Sequence, residues 1–584
     1  MAVSQYAGAR RVRQSTESSD ARTSRVSRVA TVVVPAAILV VAGWLRRWTT
    51  DDAFINYRIV RMLVEGHGPV FNVGQRVEAY TSPLWIGVLT VGDLVLPIRL
   101  EYVSVFCSLA LAALGMLALA SGAMRLLGRS TERAWVPLGS LVLLALPPMW
   151  DFSTSGLEFA LSLFWIGGLT WVLARWATTD RPLLTGEAVF VGLGPLVRPD
   201  MVLYSVVILV FVVACRWSAE NNRERLRVLV AVAALPVLYE LFRMAYFASL
   251  IPNTALAKAA DRPHWRAGFA YLRNLFGPYY LPVPILLVAI VAVLVARPFE
   301  LRRRLTITIL PVAGALHALY IVRAGGDYMH ARLLLPSLVA VLAPVAVVPV
   351  RRMVVPAVAA VALWAVVTAV GLRMTAPVTV GSLIANGRQA QAGPSHSSDL
   401  VTAEDQGLGR GNASIRAVGR SGLYAGLSRL PLRPAPGVPS PLALMSAIGV
   451  GGYSLGSRVS VLDRLGLADA LVARFQVTRT GLIGHEKPIP IPWLVARVTN
   501  DPAAADLFGG DGFVRPLYKS PPGRFDRDVA AARRALRCPE LQRLQQATQG
   551  PLTFRRALSN IWHAPDLTLL RIPPDPNKAV AKFC

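Results

Sequence analysis

Asp51 and Asp52 are adjacent carboxylates placed where an apolar run (29–45) gives way to an amphipathic one. Behind them Phe54, Tyr57, Val60 and Val64 recur at helical spacing, with Asn56, Arg58, Arg61 and Glu65 on other faces. That pattern predicts a helix lying on a membrane surface, ended by the glycines of Glu65–Gly66–His67–Gly68. Carboxylates at a helix start meet unpaired N–H groups and the positive dipole end, which favour the ionised form. An ionised carboxylate at a bilayer edge can take a proton from a sugar hydroxyl or stabilise a cationic anomeric carbon. Asp is also a favoured N-cap. Two adjacent caps are redundant, so at least one of the pair is expected to be catalytic.

Three further stretches carry chemistry-bearing side chains, each with a plainer alternative. Ser153–Thr154–Ser155–Gly156–Leu157–Glu158 opens an apolar run, and Glu158 suits either substrate positioning or a solvated helix start. In LIPNTALAKA (250–259), Asn253 starts a turn and Lys258 is the only lysine before residue 487. In so Arg-biased a chain that choice suits a point-charge contact with a lipid phosphate; the alternative is an interfacial snorkelling lysine. GGDYMHAR (325–332) brings Asp327, His330 and Arg332 between two apolar runs. Arg332 suits a phosphate oxyanion and His330 a second donor, against interfacial anchoring. Asp327 with His330 is a thin basis for a divalent metal, so phosphate ranks first and no metal centre is assigned. Arg198–Pro199–Asp200 interrupts an apolar stretch, either lining a cavity or pairing internally.

The elements that must position these residues follow from composition. The 584 residues are 54% hydrophobic and 16% charged, with a mean hydropathy of +0.47. Soluble domains are about a quarter charged, so the chain reads as a polytopic membrane protein. A soluble enzyme on one anchor and a secreted disulfide scaffold are excluded. Nucleic acid is excluded as a partner too, because the net charge of +27 sits largely in loops between apolar spans. Apolar runs centre near 29–45, 83–97, 101–124, 135–150, 157–175, 185–197, 201–215, 228–248, 279–296, 305–322, 332–350 and 354–372. Arginines in residues 1–28 and near 125–133, 175–181, 216–227, 297–304 and 351–352 mark cytoplasmic segments. The loop 46–82, with further site candidates Tyr57, Arg58, His67 and Tyr80, then faces outward. So does a Pro-, Gly- and Arg-rich domain over 373–584. Twelve crossings would return that domain to the cytoplasm. About 11 are therefore expected, with one segment between 83 and 127 short or re-entrant. Cys107 and Cys215 fall in spans as apolar filler. Cys538 and Cys584 both fall in the outer domain, where an oxidising compartment permits a disulfide.

The Asp–Asp pair after the first span, EGHGPVFN (65–72) and YTSPLW (80–85) resemble the GT-C glycosyltransferases, integral-membrane enzymes that use polyprenyl-phosphate sugars. STSGLE, RPD, LIPNTALAKA, GGDYMHARLLLP, VLDRLGLADALVAR (461–474) and GHEKPIP (484–490) fit the same bacterial branch. Within it the chain is most similar to the mycobacterial-type terminal β-(1→2) arabinofuranosyltransferases of the cell wall. The resemblance implies a mainly α, GT-C helical domain over 29–372 and an extracytoplasmic mixed α/β domain over 373–584 that binds glycan. It implies Asp51 and Asp52 as catalytic groups, and Lys258, His330 and Arg332 on the donor phosphate. Decaprenyl-phosphoryl arabinose is the implied donor and an arabinan end of arabinogalactan or lipoarabinomannan type the acceptor. Trp493 and Trp562 are sugar-stacking candidates, although burial is the commoner fate of Trp. Alternatives are a GT-C transferase of mannose or glucose, a lipid or sugar transporter, and a non-catalytic glycan-binding membrane protein.

Overall fold

The computed structural model describes residues 26–128, 134–179, 181–215, 221–258, 263–374, 384–395, 399–408, 423–425, 428–430, 432–477, 486–501, 504 and 516–584. Within them the chain is mainly helical. Six helices are long and apolar enough to cross a membrane: Val26–Leu45, Leu100–Leu127, Phe159–Thr178, Asn222–Phe247, Leu301–Ala324 and Arg352–Val370. These six do not confirm the expected count of about 11 crossings; four further apolar helices are shorter, and several apolar runs break into pieces. Run 135–150 is two helices, Leu138–Ala145 and Pro147–Phe152, divided where Pro147 and Pro148 cannot continue the first. Run 185–197 divides into Thr185–Gly192 and Gly194–Val197. Helix Pro83–Val95 has 13 residues, about 20 Å of rise against a hydrocarbon core of about 30 Å. Both its ends stay on one side. Trp85 donates to the Gly156 carbonyl at 3.0 Å, and Gly92 lies against Val103 near the start of Leu100–Leu127. Pro83–Val95 is thus one of the shorter apolar helices, within the 83–127 stretch where a short segment was expected.

Leu100–Leu127 and Phe159–Thr178 pack along their length through small residues. A Cβ on Gly115 or Gly167 would strike the opposing backbone, so glycine sets how close these helices approach. At the end away from Asp51, Arg303 donates to the Leu126 carbonyl at 2.6 Å and Arg302 stacks 4.5 Å over Trp176. The opposite end carries the Asp51–Val64 helix and the C-terminal domain. That domain holds a four-stranded sheet in the order Ser428–Leu430, Leu423–Ala425, Leu442–Met445, Ser460–Asp463; the first pair is antiparallel and the others parallel. Helices Ile491–Val498, Phe525–Ala535 and Pro539–Thr548 cover a core of Leu442, Trp493, Leu541 and Phe583. Cys538 and Cys584 are bonded, with Cα atoms 5.3 Å apart.

The boundary at 372/373 is one of composition, not of packing. Ile448 and Val461 belong to the same apolar core as Phe54, Trp85 and Leu342. Arg58, a site candidate in the sequence, is fully buried and works as a clamp. Its guanidinium donates to the carbonyls of Phe71 (2.7 Å), Gly452, Gly456 (2.8 Å) and Val459 (2.8 Å). Burial pushes its pKa down to about 9, and four carbonyl acceptors compensate the lost hydration. Arg76 likewise donates to the Ala547 carbonyl at 2.7 Å and to that of Gly550.

Candidate active site

A cavity of about 340 Å³ opens where the span ends meet the C-terminal domain. Asp51, Asp52, Tyr80, Glu158, Lys258 and Arg332 line it, drawn from five separate stretches of chain. Neither aspartate is the helix cap. Thr50 is, its hydroxyl accepting from the Asp52 amide at 3.3 Å, which leaves both carboxylates free for other partners. Asp51 accepts from the Val450 amide at 2.9 Å. A Cβ on Gly449 would collide with Asp51, so only glycine lets this turn seat against the carboxylate. The dipole argument for an ionised pair does not hold for Asp51. Burial pushes its carboxyl up to about 6, against the lowering effect of the Val450 amide. Asp52 is more open, with 24% of its side chain exposed, and lies 3.4 Å from Arg332.

Arg332 is shared among three carboxylates: Asp327 at 3.3 Å, Asp52 at 3.4 Å and Glu158 at 3.8 Å. Burial alone would lower its pKa; the three carboxylates outweigh that and raise it. Glu158 also accepts from Arg198, which holds Asp200 at 3.0 Å. Asp200 in turn meets His317 at 2.7 Å, and His317 meets Ser337 at 2.7 Å. A chain of paired charges thus runs from Asp52 into the helical bundle. Arg332 is thus held against Asp52 while it lines the cavity in which a phosphate contact was expected of it. Lys258, in contrast, has no ion pair among the described residues and faces the same cavity.

Several candidates lie elsewhere. The His330 ring is held between Asn274 (2.6 Å) and the Tyr279 hydroxyl (3.1 Å), outside the cavity lining. Burial lowers its pKa to about 4, which favours the neutral ring. Asp327 stands behind Arg332 rather than in the cavity, and with His330 so engaged the two form no metal pair. Asn253 donates to the carbonyls of Gly466 (2.8 Å) and Leu467 (3.0 Å), fixing the turn over 466–469. Asp463 organises that turn from within, accepting from the Leu465 and Ala468 amides at 2.8 Å. Tyr57 is buried under the site, edge-on to Phe54 with ring centroids 5.1 Å apart. His67 sits on the surface beside Glu65 at 3.8 Å. Trp493 is buried and donates to the Pro574 carbonyl at 2.9 Å, whereas Trp562 is 81% exposed. His485 lies outside the described residues.

Sequence reasoning missed the groups that close the cavity from the C-terminal domain: Ser446, Ala447 and Ile448, followed by Gly449 and Val450. Their only signal is the small-residue run AIGVGGYS (447–454). It also missed His317, a lone histidine in an apolar helix.

The family model for the AftB family C-terminal domain matches residues 439–582. The terminal beta-(1->2)-arabinofuranosyltransferase of Mycobacterium tuberculosis is 33% identical over 612 aligned residues, covering 93% of this chain and 95% of that protein. The protein of the same name from Corynebacterium glutamicum is 30% identical, covering 90% of this chain and 83% of its own length. No solved structure matches the chain. Similarity over that length takes in both the span-bearing part and the C-terminal domain: the chain belongs to the terminal β-(1→2)-arabinofuranosyltransferase family.

Proposed function

We propose that this membrane protein transfers an arabinofuranosyl residue from decaprenyl-phosphoryl arabinose to a cell-wall arabinan end, forming a β-(1→2) linkage. In this reading it is a multi-pass plasma-membrane enzyme whose cavity and C-terminal domain face the extracytoplasmic side. The names of its relatives support the sugar and the linkage. One observation carries the chemistry: two carboxylates in unlike surroundings share a cavity with a lysine that has no ion pair among the described residues, beside the span ends.

The bond that breaks joins the anomeric carbon to a phosphate oxygen. The leaving decaprenyl phosphate keeps the electron pair, and Lys258 neutralises the charge that grows there. The bond that forms joins the anomeric carbon to an acceptor hydroxyl oxygen, whose proton passes to a carboxylate. Asp51, with a pKa near 6, is mostly ionised at pH 7 yet basic enough to take that proton. Asp52, held by Arg332, faces the carbon that becomes electron-poor.

The test incubates the reconstituted chain with a synthetic arabinan oligosaccharide and radiolabelled decaprenyl-phosphoryl arabinose or decaprenyl-phosphoryl mannose. Label entering the acceptor from the arabinose donor alone, with a new 2-linked arabinose on linkage analysis, is the expected result. Label entering from the mannose donor, or from neither, overturns the reading.

A further inference from the structure

Among the described residues after Arg373, every exposed large apolar side chain belongs to one helix or its lead-in. Phe554 (80% exposed), Leu558 (52%), Trp562 (81%) and Leu569 (73%) lie on helix Phe554–Leu569, and Leu552 just precedes it. Spacings of four and seven residues put the four on one stripe. The opposite flank, Asn560, Ala564, Leu567 and Thr568, is buried. At about 100° per residue the two stripes stand roughly 140° apart, and a third sector holds Arg555, Ser559 and Asp566. The helix is divided three ways: protein, water, and a face suited to neither.

Its place in the fold says what covers that face. Asn560 donates to the Ala245 carbonyl at 2.9 Å, and the Leu250 amide donates to the Thr568 hydroxyl at 2.8 Å. Both partners sit at the end of Asn222–Phe247, one of the six helices able to cross a membrane. Leu238, Leu241 and Phe242 of that helix are themselves exposed, as a lipid-facing surface would be. An apolar stripe of this size is unusual on a water-facing domain. Here it continues, at the span's end, the surface that meets hydrocarbon.

We propose that the Phe554–Leu569 helix is a membrane-docking element. Its Phe554–Leu558–Trp562–Leu569 face beds into the bilayer leaflet on the cavity side while its other flank is bolted to the end of the span. The partner is the lipid surface itself. An amphipathic helix of this kind seats about 5–10 Å into the headgroup and acyl boundary, with Trp at the level such rings favour. Docking holds the C-terminal domain at a fixed height over the cavity, independently of which sugar the cavity transfers.

The experiment uses the full chain in nanodiscs of phosphatidylcholine and phosphatidylglycerol. The free thiols Cys107 and Cys215 are replaced by Ala and the disulfide is kept. Spin labels go on Leu558→Cys or Trp562→Cys, with Ser559→Cys as the water-side control; all three positions are at the surface, and gel filtration confirms a native profile. Collision with dissolved oxygen against an aqueous nickel chelate reads the surroundings. An oxygen-to-nickel ratio several-fold higher at 558 and 562 than at 559 is the expected result. Nickel collision at 558 and 562 as frequent as at 559 puts the face in water and overturns the proposal. Shielding from both reagents means a protein cover, such as a second copy of this chain. Shielding that develops only on adding an arabinan oligosaccharide means a sugar platform. Either of these overturns it as well.

Discussion

Asp51 and Asp52 share a peptide bond, yet the fold gives them unlike surroundings. Asp51 is pressed against the Gly449–Val450 turn and pushed up to about 6, while Asp52 looks into the cavity and pairs with Arg332. Replacing either with Asn is expected to lower transfer by roughly two to four orders of magnitude, the usual worth of a positioned acid–base group. Gel-filtration profile and thermal midpoint should hardly change, because Thr50 and not an aspartate caps the helix. The pH dependence separates the pair. Burial disfavours the charged form of Asp51, so a reaction that needs that form weakens as pH falls through about 6 and is full above about 7. That acid limb should vanish from the residual activity of Asp51→Asn; its persistence there assigns the limb to another group. The two cations differ in the same manner. Lys258→Gln should weaken donor use about ten- to hundredfold, the loss of one charge-assisted bond of roughly 1.5–3 kcal/mol. Because Lys258 meets a charge that grows as the phosphate leaves, that loss falls on kcat as well as on KM. Arg332→Gln should act on kcat, since Arg332 works through Asp52. Steady-state kinetics against varied donor distinguish the two, and equal effects on KM would return Arg332 to the phosphate.

At the scale of elements, the Asp51–Val64 helix is only as well placed as its grip on the C-terminal domain. Arg58 supplies that grip through the carbonyls of Gly452, Gly456 and Val459, and holds its own loop through that of Phe71. Arg58→Ala leaves those acceptors buried and unpaired, at about 1–3 kcal/mol for each that water cannot reach. It is expected to lower the thermal midpoint and transfer together, whereas Arg61→Ala, which removes one carbonyl contact, should be mild. The disulfide is the second tether. Cys538 and Cys584 are 46 residues apart, and closing such a loop is worth about 2–4 kcal/mol. The double Ser variant should melt earlier, and melting with and without reductant should converge for it. How far these elements can be read in the sequence follows from the signals they leave. The carboxylates, Glu158, Lys258 and Arg332 stand out because ionisable residues beside apolar runs are rare, and the fold does bring them to one cavity. Arg58 looks like a site residue for the same reason, since a buried clamp and a catalytic cation share one sequence signature. His330 and Asn253 sit in conspicuous motifs, but motifs mark turns that must hold shape as readily as groups that react. Hydropathy sums over a window and cannot see that Pro147–Pro148 divides one apolar run into two helices. Nor does it show that Pro83–Val95 begins and ends on the same side of the helical bundle.

For the whole molecule, the short Pro83–Val95 helix bears on a question of parity that matters for function. Val26–Leu45 ends at the cavity, and Leu100–Leu127 begins near it because the intervening helix does not cross. Phe159–Thr178 also begins beside it, at Glu158. Asn222–Phe247 ends there, since Ala245 receives a bond from the C-terminal domain. Leu301–Ala324 ends there too, just before Asp327. The arginines at the opposite ends of these helices, Arg125, Arg175, Arg302 and Arg303, therefore gather on the other side. Basic residues stay in the cytoplasm when a membrane protein inserts, so the cavity and the C-terminal domain are expected on the outer side. The proposed polyprenyl-phosphate donor and wall glycan would meet there, and an oxidising compartment there also suits the Cys538–Cys584 bond. A reporter that is active only outside the cytoplasm, fused after Cys584, should be active. One that fluoresces only inside should be dark. With reversed signals, the cavity would face the cytoplasm and the wall glycan could not reach it. Arabinan transfer as proposed would then fail even with every cavity residue in place.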